Sequence, residues 1–225
     1  PPRSTLFPYT TLFRSQKDEE KGLYYVQKEK KRLYFRKSTP AKKIQKYYRA
    51  LSMEQDRRSP HHYFNSVKEV TGKVFVDVGC AEGYSSLEII EEAKHVYLFE
   101  QDEQWLEAIR ATFEPWQDKV TIVQKYVSDH NSSREQTLDD FFNNQTNEHL
   151  FLKMDIEGAE RHALAGCNNL FQNCQKLDFA ICTYHLRDDE EVISAFLDKH
   201  NCTYINQKGF FRHKIRSVVM RGSKK

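Results

Sequence analysis

From Lys73 to the C-terminus, short β-branched runs alternate with helical stretches. That alternation restricts the chain to βα units built around a mostly parallel sheet. The strands it predicts are Val74–Val78, Val96–Glu100, Val120–Val127, Leu150–Asp155, Phe179–Tyr184, Thr203–Asn206 and Ile215–Arg221. Helices fill the intervals at Tyr84–Glu92, Glu103–Phe113, Leu138–Asn143, Glu157–Ala165 and Asp189–His200. No helix separates the last two strands, so they are expected to form an antiparallel hairpin through Gly209. The expected fold class is α/β, a seven-stranded, mostly parallel sheet closed by that hairpin.

At 225 residues the chain has the length of one domain plus an arm, and 39% hydrophobic and 13% aromatic residues exclude a disordered tail. No stretch approaches the roughly 18 to 20 apolar residues of a membrane-spanning helix, and the N-terminus lacks the order of a signal peptide. Cys80, Cys167, Cys174, Cys182 and Cys202 are widely spaced and form no zinc-type pair. Reduced thiols and a cytoplasmic location are the expectation. Oligomeric state is left open.

Charge is distributed unevenly. Residues 1–58 hold 16 Lys and Arg against 6 Asp and Glu, a balance of +10, whereas residues 59–225 hold 19 against 26, a balance of −7. A basic front suits either a polyanionic partner such as nucleic acid or a plain solvated helical face. Residues 1–15 repeat the triplet TLF and have no clean period; they resemble a translated adapter or a disordered lead. Residues 16–59 read as a basic arm of one or two helices interrupted near Ser38-Thr39-Pro40, and residues 60–225 as the catalytic domain.

The stretch VFVDVGCAEGYSSL at 74–87 carries the most chemistry. A buried strand ends in Asp77-Val78-Gly79, and a turn then reaches Gly83 at a helix start, letting backbone pass close to a ligand. The spacing Asp-x-Gly-x-x-x-Gly differs from the GxGxxG that seats a pyrophosphate, which disfavours an NAD-dependent oxidoreductase. It suits S-adenosyl-L-methionine, which has no phosphate. Glu100 ends the second strand 21 residues after Gly79, where a carboxylate can accept from both ribose hydroxyls. Ser128 and Asp129 follow the third strand, on the edge where open α/β sheets bind ligands; Asp129 reads equally as an adenine contact or a turn former. Asp155 closes the fourth strand, with Glu157 and Glu160 beyond it, and Tyr184-His185 closes the fifth. Glu160 is the residue best explained by the helix dipole alone. His61, His62 and Tyr63 precede the first strand and read as surface residues near the pocket.

DVGCAEGYSSL, VYLFE, QTLDDFF, FLKMDIEGAE with the later Gly166, ICTYHLRDDEEVISAFL and IRSVVMRG occur in one order. Together they resemble FkbM-type S-adenosylmethionine-dependent methyltransferases over residues 60–222, Thr137-Leu138-Asp139 followed by LKMDIEGAE being the more specific part. The resemblance implies a Rossmann-like class I methyltransferase fold and methyl transfer to a hydroxyl oxygen of a sugar, glycan or related natural product. It implies that Asp77, Gly79 and Gly83 line the methionine end of the cofactor, Glu100 the ribose, and Ser128 and Asp129 the adenine edge. Cys80 joins this lining as a small buried residue, not a nucleophile. The chain departs from the commoner family pattern at Cys80-Ala81-Glu82. Asp155, Glu157 and His185 would face the acceptor.

The sulfonium already activates the methyl group, so the protein must chiefly align the acceptor oxygen and exclude water. Asp155 or His185 would serve as the base, which is worth about 10² to 10⁴-fold. A divalent metal on Asp155, Glu157 and His185 is the variant to be weighed against it. Two rival functions stand beside this one. The first is a nucleic-acid methyltransferase gripping phosphates with the basic arm, although no Asn/Asp-Pro-Pro-aromatic motif follows the fourth strand. The other is a catalytically inactive cofactor-binding partner subunit.

Overall fold

The computed structural model describes residues 14–143, 148–211 and 214–224. Most of the TLF-containing lead expected at residues 1–15 lies outside the described residues. The first elements correct the expected helical arm. Strands β1 (Ser15–Asp18), β2 (Leu23–Lys28) and β3 (Lys31–Tyr34) form an antiparallel sheet, and only α1 (Ala41–Glu54) is helical. Two turns account for the difference. Gly22, at φ +67°, donates its N–H to the Asp18 carbonyl, and Glu29 occupies the left-handed region at φ +55° in a two-residue turn to β3. A glutamate at a left-handed turn position gives none of the Asn-Gly or Asp-Gly signal that marks such hairpins. The interruption at Ser38-Thr39-Pro40 is real and becomes the start of α1, with Pro40 at its N-cap.

The body then alternates as expected: β4 (Val74–Val78), α2 (Tyr84–Ile89), β5 (His95–Phe99), α3 (Glu103–Phe113) and β6 (Val120–Val123). After these come β7 (Tyr126–Val127), β8 (Glu135–Gln136), α4 (Leu138–Phe141), β9 (His149–Met154), α5 (Glu160–Ala165) and α6 (Asn168–Asn173). The chain closes with β10 (Lys176–Cys182), α7 (Asp189–Lys199), β11 (Thr203–Phe211) and β12 (Lys214–Lys224). The seven-stranded sheet has the order β11-β12-β10-β9-β4-β5-β6, and β12 alone runs against its neighbours. This is the Rossmann-like methyltransferase fold expected.

Three local expectations need revision. The run Val120–Val127 is not one strand; it breaks at Gln124-Lys125, and β7 pairs with β8 in a separate two-stranded ladder. Helix α5 begins at Glu160 because Glu157 sits in the left-handed region, at φ +55°, where a helix cannot start. Gly209 lies inside β11, opposite Arg216, and the pairing continues past it to Phe211 opposite Lys214.

All five residues of β4 are buried, as expected for a central strand covered on both faces. One face packs Phe75 and Phe151 against α2 and α3; the other gathers Val76, Val78, Leu152 and Phe179. Leu23, Val26, Phe35, Ile44 and Tyr48 of the arm belong to the first of these clusters, together with Leu87, Ile109 and Phe113. Each such side chain contributes about 1.5–3 kcal/mol when fully buried, so the arm is part of the core.

Charge reinforces that attachment. Lys28 pairs with Glu88, Lys21 with Glu114 and Arg36 with Asp102, and Lys31 donates to the Leu87 carbonyl at 2.8 Å. Part of the basic excess at the front is thus met by the acidic body of the same chain. Lys42, Lys43, Lys46 and Arg49 of α1 remain exposed.

Candidate active site

A cleft of ≈ 1070 Å³ opens at the carboxyl ends of β4, β5 and β9. It is where a parallel sheet offers loop residues to a ligand. The arm roofs it with Arg36, Tyr47, Leu51 and Glu54, which form one of its walls. Carboxylates outnumber Lys and Arg in the lining. That balance favours a cationic ligand and opposes a polyphosphate or a nucleic-acid backbone.

The strand-turn-helix unit is built as the spacing predicts, but its glycines serve packing. Gly79 has φ +78°, and a Cβ there would lie 2.1 Å from the Asp155 carbonyl oxygen and 2.7 Å from Ile156 Cγ2. Gly83 has φ +80°, and its Cβ would meet the Phe113 ring at 2.7 Å. The space a side chain would need is taken by the neighbouring strand exit and by α3, so packing alone already requires glycine at both positions. Gly79, Cys80 and Gly83 nonetheless sit at or beside the cleft, with the Gly79 and Cys80 N–H groups both donated to the Phe99 carbonyl.

Asp77 lies at the floor of the cleft, 1% exposed. Its Oδ1 is 2.8 Å from Lys153 Nζ, and its Oδ2 accepts from the Ser86 hydroxyl at 2.6 Å. Asp77 and Lys153 are direct register partners on parallel β4 and β9, which is why a lysine can stand inside an apolar strand. Burial pulls the Lys153 pKa down, but the Asp77 and Asp155 carboxylates outweigh it and hold the amine above the usual lysine range. Lys153 also donates to the Gly79 carbonyl at 2.6 Å, tying the turn to the ion pair. Sequence reading missed Lys153; its signal was a lone cation in FLKMD.

Glu100 stands at the end of β5, where its Oε2 accepts from the Ala81 N–H at 3.0 Å and its Oε1 from the Asp102 N–H at 2.8 Å. Each carboxylate oxygen has a second lone pair left for a ligand. Glu82, 4% exposed, accepts from the Tyr47 hydroxyl of α1 at 3.0 Å. Burial pushes its pKa up to about 7, against the opposing effect of its hydrogen bonds. Ser128 and Asp129 also line the cleft, and Asp129 contacts the exposed His130 and His162 rings.

The parallel neighbours β9 and β10 bring Asp155 and His185 together. His185 Nε2 is 3.5 Å from Asp155 Oδ1, and Nδ1 is 2.9 Å from Glu160 Oε1. Asp155 Oδ2 accepts from the Tyr63 hydroxyl at 2.6 Å. Glu157 points outward, its side chain 91% exposed and its Oε2 3.6 Å from Nε2. Tyr184 lies against His185 with centroids 4.2 Å apart and the rings tilted by 41°, and His61 packs against Tyr184. Burial works against a charged imidazole, but Glu160, Asp155 and Glu157 outweigh it and raise the His185 pKa above the ordinary value. Like Lys153, Tyr63 and Glu160 were not expected among the site residues: Tyr63 read as a surface residue that could overhang the pocket, and Glu160 was explained by its helix, whereas the structure sets them against Asp155 and His185.

Among the described residues, Asp155, Glu160 and His185 are the group close enough to share a metal ion. Their chemistry does not fit one. The two ring nitrogens face different carboxylates, a single ion can take only one of them, and both Glu160 oxygens already accept backbone N–H groups. The set is an imidazole bridged between two carboxylates.

Comparison with known proteins bears on the family and the fold. Residues 39–205 match the Methyltransferase FkbM domain, a stretch that begins ahead of the expected boundary and takes in α1. No curated protein matches the chain in sequence. A methyltransferase FkbM from Methylobacillus flagellatus KT shares 19% identity over 67% of this chain with a TM-score of 0.55, and the chain spans 43% of that protein, less than half its length. SMU.1697c from Streptococcus mutans, in complex with SAH, shares 14% identity with a TM-score of 0.50, covering 70% of this chain and 93% of its own. The M. jannaschii tRNA m1G37 methyltransferase shares 11% with a TM-score of 0.50, covering 89% of this chain and 56% of its own. At these identities the structural likenesses establish the fold alone. The family match spans well over half of the residues, and the chain belongs to the FkbM methyltransferase domain family.

Proposed function

We propose that the chain transfers the methyl group of S-adenosyl-L-methionine to a hydroxyl oxygen of a sugar, glycan or related natural product. The observation that carries this reading is the pairing of an acidic cleft with two buried acceptor atoms, Asp155 Oδ1 and His185 Nε2. They face each other 3.5 Å apart, and neither has an aligned hydrogen-bond partner among the described residues. An acceptor hydroxyl bridging them would donate its proton there while its oxygen attacks the methyl carbon. The C–O bond forms as the C–S bond breaks, the proton passes to His185, and S-adenosylhomocysteine leaves neutral. Glu100 would accept from the ribose hydroxyls, and Ser128 with Asp129 would meet the adenine edge. Gly79, Cys80 and Gly83 shape the turn, and Asp77 supports it from below. Glu157, exposed at the rim, would contact the far side of the acceptor.

The cleft's surplus of carboxylates speaks against a nucleic-acid substrate, whose phosphates it would repel. Asp155→Asn and His185→Ala, assayed at saturating acceptor, are expected to lower kcat by about 10² to 10⁴-fold and to leave S-adenosyl-L-methionine affinity by calorimetry unchanged. Full turnover in both variants would remove the base from this mechanism.

A further inference from the structure

Glu160 is the first residue of α5, and its side chain is wholly buried. A carboxylate that served only the helix dipole would do so from the surface, without losing hydration. This one is enclosed by two backbone donors and the imidazole: Oε1 accepts from the Ile156 N–H at 2.8 Å and Oε2 from the Gly158 N–H at 3.0 Å, while Oε1 lies 2.9 Å from His185 Nδ1, close enough for an ion pair though not aligned as a hydrogen bond. The two backbone donors belong to the turn that presents Asp155 and Glu157. A single side chain therefore fixes the turn after β9 and the ring after β10 relative to one another. On the other side of Asp155, the Tyr63 hydroxyl holds Oδ2 at 2.6 Å and leaves Oδ1 directed at Nε2.

We propose that Glu160 is the positioning residue of the site: it holds the His185 Nδ1–H and so keeps Nε2 as the nitrogen that takes the acceptor's proton beside Asp155. The inference rests on the methyl-transfer reading above, since it assigns the orientation of the base in that reaction. A buried carboxylate behind an imidazole sets its tautomer and stabilises the imidazolium formed as the proton arrives. The titratable groups facing the ring are Asp155 and Glu157 from the turn after β9, Glu160 from α5, Tyr184 beside it and His61 from the segment before β4. Of these carboxylates, Glu160 alone faces Nδ1.

The test is an NMR titration of His185 in the full chain. In the wild type, nitrogen shifts are expected to report the Nδ1–H tautomer, and the ring is expected to titrate above an ordinary histidine. In Glu160→Gln the midpoint should fall, and the acid limb of kcat should move to lower pH with it. Its plateau is expected to drop roughly 10²-fold or more while KM for the cofactor holds. A folded Glu160→Gln with an unchanged His185 midpoint would overturn the proposal. So would the Nε2–H tautomer in the wild type, a readout that needs no variant to fold. The titration reads the ring directly, so methyl transfer could fail while this orientation stands, and the reverse.

Discussion

The arm, residues 15–54, and the sheet body hold their charges in opposite ways, and each way hid something different from sequence reading. In the body the decisive pair, Asp77 with Lys153, is buried within the sheet, on directly opposed positions of two parallel strands. In the arm some cations pair locally, Lys17 with Glu19 and Arg32 with Asp18, while others reach outward to anions far along the chain, as Lys28 does to Glu88 and Arg36 to Asp102. Strand periodicity reveals where the body's residues lie, because one face or both must be apolar. It says nothing about the arm's partners, which come from other elements. A surplus of Lys and Arg at one end of a chain is therefore weak grounds for an external polyanion until the opposite surplus elsewhere in the chain has been accounted for.

That comparison can be broken most severely at Lys153. Lys153→Ala leaves Asp77 buried without its cation, and unfolding by urea is expected to show a loss of about 3–5 kcal/mol. A loss below ~1 kcal/mol would mean that the body's pair is no more than a surface bridge.

The junction between the two regions is sharpened by pH. Glu82, under the Tyr47 hydroxyl of α1, titrates at about 7 in the fold and at the ordinary carboxylate value when unfolded. Between those values the folded state binds more protons than the unfolded one, so this group lowers stability as pH rises from about 4.5 to 7. Glu82→Gln should remove that slope, becoming more stable relative to wild type by of order 2–3 kcal/mol at pH 8 than at pH 4. Parallel stability profiles for the two proteins would contradict the assignment.

The smallest effect is expected in the arm. Lys28→Ala should change stability by about 1 kcal/mol or less, because its pair with Glu88 is partly solvated. A loss as large as that of Lys153→Ala would erase the distinction between the regions.

The fold was legible in the body because its central strands are short apolar runs, and α3 and α4 each start at a side-chain cap. Asp102 accepts from the Gln104 N–H, and Thr137 from the Asp140 N–H. The same local logic explains the Thr137-Leu138-Asp139 motif in structural terms: Asp139 accepts from the Asn169 and Leu170 N–H groups and joins α4 to α6. The arm was misread because Tyr24, Tyr25 and Val26, good strand formers, are diluted by lysines, and its second turn uses a glutamate. At the site, residues at strand ends could be placed along the cleft because topology sends them all to one edge. Tyr63, Glu160 and Lys153 were missed because each acts through a partner on another element: Asp155, His185 and Asp77. Sequence spacing places a residue on an edge but does not say which neighbour will hold it.

The most direct measurement is product analysis with methyl-deuterated S-adenosyl-L-methionine, the full chain and a panel of glycan and small-alcohol acceptors. A product carrying the labelled methyl on oxygen, with an equal amount of S-adenosylhomocysteine released, is the result predicted. A properly folded protein that binds no S-adenosyl-L-methionine, or binds it and releases no S-adenosylhomocysteine with any hydroxyl acceptor, would contradict the account.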